Sequence, residues 1–244
     1  MNSTREGGWS TFVGAAPPSL SSYYFLLGLL VQLAAEMYLI SLLALVALTT
    51  ASPLNFDLES RQLPTPVSIA TAKEYLDGLE VAFPVTEPSY DRKAFRHWIP
   101  IDGKCDTRET VLKRDAKAEI VVDSECKATT GDWISDYDSK SIMNAHELDI
   151  DHLVPLKEAW GAGAWNWTAE RRKEFANDLT RPQLLAVSAT SNRMKGDRDP
   201  SKWMPSNPSF HCTYVRSWIQ VKQYYELTVD QAEKEALTKY INEC

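Results

Sequence analysis

From residue 68 onward the apolar positions switch between helical and strand spacing. In "SIATAKEYLDGLEVA", Ala70, Ala72, Tyr75, Leu76 and Leu79 fall near one helical face, which predicts a packing helix with Gly78 near its end. "DTRETVLKRDAKAEIVVDSECKA" opens on an Asp-Thr cap signal, continues through Val111, Leu112 and Ala116, and changes to the β-branched run Ile120-Val121-Val122. A short helix running into a strand is expected there, with Cys105 and Cys126 at its two ends. "TGDWISDYDSK" reads as turn-rich and aromatic, whereas "HELDIDHLV" alternates as a half-buried strand does, predicting a strand over Leu148 to Val154 stopped by Pro155.

"QLLAVS" predicts a second short strand. Helices are expected in "TAERRKEFANDL", with Thr168 as N-cap, and in "SATSNRMKGD", capped by Ser188 and closed by Gly196. "TYVRSWIQVKQYYEL" and "TVDQAEKEALTKYINEC" read as two C-terminal helices, the second starting near Thr228 and Asp230. No internal repeat is present.

The start of the chain has a different texture. Tyr23 to Leu54 is long enough to span a bilayer but is interrupted by Gln32 and Glu36. Read from Met37, "MYLISLLALVALTTASP" is an apolar core ending in small residues, so Met37 as the true start with signal cleavage after Ala51 is expected. A signal anchor built from the whole segment is the alternative. Residues 1–51 are thus an N-terminal apolar or signal segment, 52–67, with three prolines, a linker or pro-segment, and 68–244 the folded domain.

Of 244 residues, 44% are apolar and 24% charged, a foldable composition. The formal charge of −7 argues against coating nucleic acid by bulk electrostatics but leaves room for a local basic cleft. All four cysteines follow the apolar run and none forms a C-x-x-C pair, which suggests two disulfides in an exported chain. Sequence proximity favours Cys105 with Cys126 and Cys212 with Cys244 among the three connectivities. Asn166-Trp167-Thr168 is an N-glycosylation sequon, relevant only in a eukaryotic secretory route.

The candidate chemistry lies in "HELDIDHLVPLKEAW" and "QLLAVSATSNRMKGD": a strand carrying Asp151-His152, an excursion, a second strand, then a helix carrying Asn192. That order resembles the ββα-metal, or HNH (His-Me finger), nuclease core. Within it, "DIDHLVPLKEAW", "FANDLTRPQLLAVSATSNRMKGDRDP", "CDTRETVLKRD" and "WISDYD" are similar to HNH nucleases of the GmrSD restriction-endonuclease C-terminal type, in a secreted branch of fungi and actinobacteria. The resemblance covers roughly Phe95 to Cys244 and implies an α+β fold with a ββα-metal core embedded in additional helices.

By this resemblance His152 is the general base that deprotonates water, a task suited to a side chain with an ordinary pKa of about 6.5. Asp151 and Asn192 are the implied ligands of one divalent ion, Mg²⁺ with Mn²⁺ as the alternative. Gln183 falls where the family carries an Asn that orients the catalytic loop, and joins the catalytic set in that role. Arg193, Lys195 and Arg198 are candidate contacts to the phosphate backbone, and Arg108 and Glu109 either enter the cleft or pair with each other.

Blander readings stand beside these. Asp149 shares a strand face with Asp151, either aiding the metal or solvated; His146 and Glu147 read as surface, and His97 and His211 as packing or surface. Trp133, Trp160, Trp165, Trp167, Trp203 and Trp218 read mostly as core rather than base-stacking platforms. The "ERRKEF" run is either an electrostatic footprint or a solvated helix face.

The expected function is a secreted, sequence-non-specific endonuclease of DNA, with RNA as the alternative substrate. The rival is an exported binding module that keeps the fold without catalysis. A zinc hydrolase of another kind lacks an H-E-x-x-H or cysteine ligand set.

Overall fold

The computed structural model describes residues 62–244, and Gln32 alone before them. The expected signal segment, its start at Met37 and its cleavage after Ala51 lie outside the described residues. Within the unit Asp57–Cys244, helix α1 (Ile69–Gly78) begins at Ser68, whose hydroxyl accepts from the Thr71 amide. Strands β1 (Pro100–Asp102) and β2 (Cys105–Asp106) pair antiparallel, and Asp106 caps helix α2 (Thr107–Asp115) through the Glu109 amide. Strands β3 (Val121–Val122), β4 (Ala128–Ile134) and β5 (Ser141–Asn144) form a three-stranded antiparallel sheet in that order.

Strand β6 (Leu148–His152) pairs antiparallel with β7 (Leu184–Ser188) in unbroken register. The stretch between them holds helices α3 (Leu156–Gly161) and α4 (Ala169–Ala176). Helix α5 (Ala189–Lys195) leaves β7 at once, capped by Ser188 and closed by Gly196 at φ +58°, where a residue without Cβ is at ease. Helices α6 (His211–Tyr225) and α7 (Gln231–Asn242) complete the unit, α7 opening with a capping box between Asp230 and Glu233.

The β6–β7 pair divides two apolar cores because side chains alternate across a strand. Leu148 and Ile150 join Leu184 and Ala186 on one face, with Val111, Leu112, Trp133 and Ile142. Leu185 and Val187 face the larger core of Leu76, Phe175, Tyr214, Trp218 and Leu237. Asp149 and Asp151 oppose Val187 and Leu185 in register and therefore share their face, while His152 leaves on the other.

A two-stranded pair has two open edges, and α2 reaches both. Arg114 donates to Leu184 O at 2.6 Å, and Asp115 accepts from the Ala186 amide at 2.8 Å. Arg108 donates to Ala145 O and Leu148 O, and Glu109 accepts from the Ala128 amide. The charged residues of "TRETVLKRD" thus brace the strands that carry the candidate site.

Both cysteine pairs favoured by sequence proximity are formed, Cys105–Cys126 and Cys212–Cys244. Closing loops with separations of 21 and 32 residues contributes on the order of 3–4 kcal/mol each, chiefly by restricting the unfolded chain.

Two elements differ from expectation. The turn-rich segment around Trp133 contains most of β4. Gly131 and Asp132 weaken its intrinsic strand preference, but the Trp133 indole N–H donates to Leu112 O at 2.8 Å and the residue pairs with Ile142, so packing decides. A Cβ at Gly131 would lie 2.5 Å from the Trp133 ring, which explains the glycine. Strand β6 stops at His152 rather than Val154, because both backbone groups of Val154 are taken by the Gln183 side chain.

Candidate functional site

The site is built where β6 ends, with α5 across one face and the C-terminal end of α4 across the other. His152 is buried at the strand end. Its Nε2 lies 3.0 Å from Ala176 O, and a carbonyl can only accept, so Nε2 carries the proton and Nδ1 holds the lone pair. Burial pushes the imidazole down to about 3, so the ring is neutral at ordinary pH. The Trp98 indole stacks on it at 5.5 Å and 24°, and His97 meets it edge-on at 6.5 Å. Trp98 adopts φ +57°, a costly conformation for so bulky a residue.

The turn after His152 is clipped by Gln183. Its Oε1 accepts from the Val154 amide at 3.0 Å, its Nε2 donates to Val154 O at 2.9 Å, and the Leu153 amide donates to its backbone carbonyl at 2.7 Å. A side-chain amide matching a peptide group in this way fixes the backbone on which His152 sits.

On the opposite face, Asn192 and Lys195 are one helical turn apart on α5 and reach the two aspartates. Asn192 Nδ2 donates to Asp149 Oδ2 at 3.2 Å. Lys195 is wholly buried and donates to Asp151 Oδ1 and Oδ2 at 2.9 and 2.7 Å and to His152 O at 2.9 Å. Tyr137 also donates to Asp151 Oδ2. Burial raises the Asp151 carboxyl and lowers the Lys195 ammonium from their ordinary values, while the attraction between the two opposes both shifts.

Lys195 is therefore not placed at a phosphate backbone as expected from the sequence: its three protons are spent inside the protein. Arg108 is also committed, to Glu109 and two backbone carbonyls. Arg193, with 74% of its side chain exposed and its Nε 3.5 Å from Asp149 Oδ2, and Arg198, exposed and donating to Met194 O, are the cations at the open side of α5. In the "ERRKEF" run, Arg172 donates to four backbone carbonyls and Arg171 to Glu174 and Tyr224 O, so both arginines hold the fold. An open groove of about 410 Å³, lined by Ile99, Lys173, Asn177, Leu179, Thr180 and Arg181 among others, starts one residue beyond Ala176.

A hard divalent ion needs oxygen donors, and the Asp149/Asp151 face supplies them. Asp149 is partly open, and turning the Asn192 amide would bring its Oδ1 beside that carboxylate. Asp151 would join them by giving up contacts from Lys195 or Tyr137. Among the described residues no group of three or more His, Cys, Asp or Glu is arranged to hold a metal, so the fit depends on the Asn192 oxygen and water.

Trp98 and Tyr137 belong to this constellation and were not singled out from the sequence. Tyr137 lies inside "WISDYD" and Trp98 next to His97, but neither string says which distant side chain it meets. Trp133, Trp160 and Trp218 are buried, whereas Trp165 is 37% exposed.

The chain matches the family model for GmrSD restriction endonucleases, C-terminal domain, over residues 104–240. It is 45% identical over 210 residues to an uncharacterized secreted protein of Arthroderma benhamiae, a likeness covering 85% of this chain and 98% of that relative. No solved structure matches it. Like that relative the protein is secreted, and no helix among the described residues is long and apolar enough to cross a membrane. The chain belongs to the family of GmrSD restriction-endonuclease C-terminal domains.

Proposed function

We propose that this protein is a secreted, metal-dependent endonuclease of the HNH type that hydrolyses phosphodiester bonds of DNA, with RNA as the alternative substrate and without sequence preference. The observation that carries the reading is the geometry of His152: its Nε2 proton is anchored on Ala176 O, which leaves the Nδ1 lone pair as the acceptor for a proton from water, while burial holds the ring below ordinary imidazole basicity. Gln183 holds the turn that positions this ring, and Trp98 fixes its plane. Asp151 and Asn192, with Asp149 between the strand and α5, are the proposed oxygen donors for one Mg²⁺ or Mn²⁺. Such an ion supplies neutralisation of charge on the phosphate. Arg193 and Arg198 attract the neighbouring backbone phosphates.

The family match supports a nuclease-related reading, and the deletion of one ring tests it. The secreted protein is incubated with supercoiled plasmid or single-stranded RNA in Mg²⁺, Mn²⁺ or EDTA, beside His152→Ala. Cleavage that needs metal and drops about 10²- to 10⁴-fold in the variant is the expected result. The rival, a non-catalytic exported module, is favoured by one observation: both Asp151 oxygens are held by Lys195. Wild type and variant equally inert in folded form would establish that rival.

A further inference from the structure

The tripeptide Asn166-Trp167-Thr168 has no part in the proposed chemistry, yet the fold presents it in a particular way. Asn166 closes the 3-10 turn Ala164–Asn166, and its amide donates to Gly163 O at 3.1 Å. Arg172 of α4 holds the same turn from inside, donating to Ala164 O at 3.2 Å, Trp165 O at 3.5 Å and Trp167 O at 2.5 Å. On this fixed backbone the Asn166 side chain is exposed and makes no hydrogen bond among the described residues.

Four other asparagines among the described residues are engaged. Asn144 and Asn207 cap 3-10 turns, Asn177 bonds to Arg96 O and Lys173 O, and Asn192 meets Asp149. Asn207-Pro208-Ser209 has the right ends but is excluded by its central proline.

We propose that Asn166 carries an N-linked glycan. The inference rests on secretion and on the likeness to a fungal secreted protein, not on the nuclease reading. The donor is a polyprenyl-diphosphate-linked oligosaccharide of the eukaryotic secretory route. A bond forms between Asn166 Nδ2 and the anomeric carbon of the first sugar, and the bond from that carbon to the diphosphate oxygen breaks. The polyprenyl diphosphate leaves with the electron pair, and one amide proton passes to a base of the transferase.

In the folded chain the Thr168 hydroxyl is the N-cap of α4, accepting from the Arg171 amide at 3.2 Å and keeping its own proton to donate. Trp165, next to Asn166 and 37% exposed, offers an apolar face to the first sugar. The turn stands at the N-terminal end of α4, whose other end holds His152 through Ala176 O; eight residues of helix, roughly 12 Å, lie between. Asn166 and the His152 ring thus lie at opposite ends of α4.

The full chain is produced through a yeast secretory route, and the secreted protein is treated with peptide N-glycosidase in ¹⁸O-water and digested with trypsin. The peptide Glu158–Arg171 should carry Asp in place of Asn166 with the heavy-oxygen mass, a shift lost in Asn166→Gln. Peptide-level reading also separates this site from Asn2-Ser3-Thr4. Thr168→Ser, which keeps both cap and sequon, should remain modified if Asn166→Gln secretes poorly. Wild-type Glu158–Arg171 recovered with an unmodified asparagine overturns the proposal. Cleavage by Asn166→Gln equal to wild type is expected, and inactivity of both would sink the nuclease reading while leaving the glycan decided by mass.

Discussion

Lys195 and Lys222 are both wholly buried, both paired with carboxylates, and they do different things for the molecule. Lys222 of α6 donates to Glu158 of α3 at 2.7 Å, to Glu233 of α7 at 2.9 Å and to Thr228 O at 2.8 Å, drawing three helices together. Lys195 donates to one carboxylate and to the carbonyl of His152, tying α5 to the last two residues of β6. The first cluster holds two carboxylates for one ammonium; the second is balanced. A buried ion pair is no more stabilising than apolar groups of the same shape, but removing one member strands the other. What distinguishes the two regions is what gets stranded.

The largest effect is expected at Lys222. Lys222→Met leaves Glu158 and Glu233 facing one another, and a loss of about 3–5 kcal/mol in urea unfolding at pH 8 is expected. Cleavage per folded molecule should stay unchanged. A parallel fall in cleavage would end the contrast between a structural and a site lysine.

Next comes the excess carboxylate. Burial pushes Glu233 up to about 7 from 4.5, with Lys222 pulling it down and Glu158 raising it. A folded value above the unfolded one means that the folded state binds the extra proton, so this stability is present at low pH and is lost as pH rises from about 4.5 through 7. The span is on the order of 3 kcal/mol. Glu233→Gln should flatten this part of the pH profile of Tm between pH 5 and 8; an unaltered profile would show that Glu233 is ionised throughout.

Lys195→Met is expected to cost less, about 1–3 kcal/mol, because Tyr137 still donates to Asp151. It should differ in kind as well. The freed Asp151 oxygens lie on the face of Asp149 and Asn192, so Mn²⁺ should raise the Tm of Lys195→Met more than that of wild type and do nothing for Lys222→Met. Equal responses of the two lysine variants to Mn²⁺ would remove the distinction.

Much of this arrangement was legible in local sequence. Ser68, Asp106, Thr168 and Ser188 cap helices where short polar side chains precede apolar periodicity, and the alternation of "HELDIDHLV" set the face on which Asp151 lies. The strand around Trp133 was hidden, since its support comes from Ile142 and Leu112 rather than from its own residues. The burial of Lys195 was hidden too: helical spacing puts it one turn from Asn192, but only the three-dimensional position of Asp151 and Tyr137 turns a surface cation into an internal one. Charge in "ERRKEF" pointed outward on paper, whereas Arg171 and Arg172 reach backbone carbonyls; in "CDTRE" Arg108 pairs with Glu109, one of the two readings its sequence offered, and adds Ala145 O and Leu148 O, which no local pattern signals.

Trp98 carries a different lesson. At φ +57° its backbone costs roughly 1–2 kcal/mol more than a glycine would at the same place. A lineage under selection for thermal endurance alone would drift toward glycine or asparagine at this position and leave the His152 ring with water where the indole now lies. On the nuclease reading proposed above, that conformational cost is what keeps the indole, rather than water, against the His152 ring.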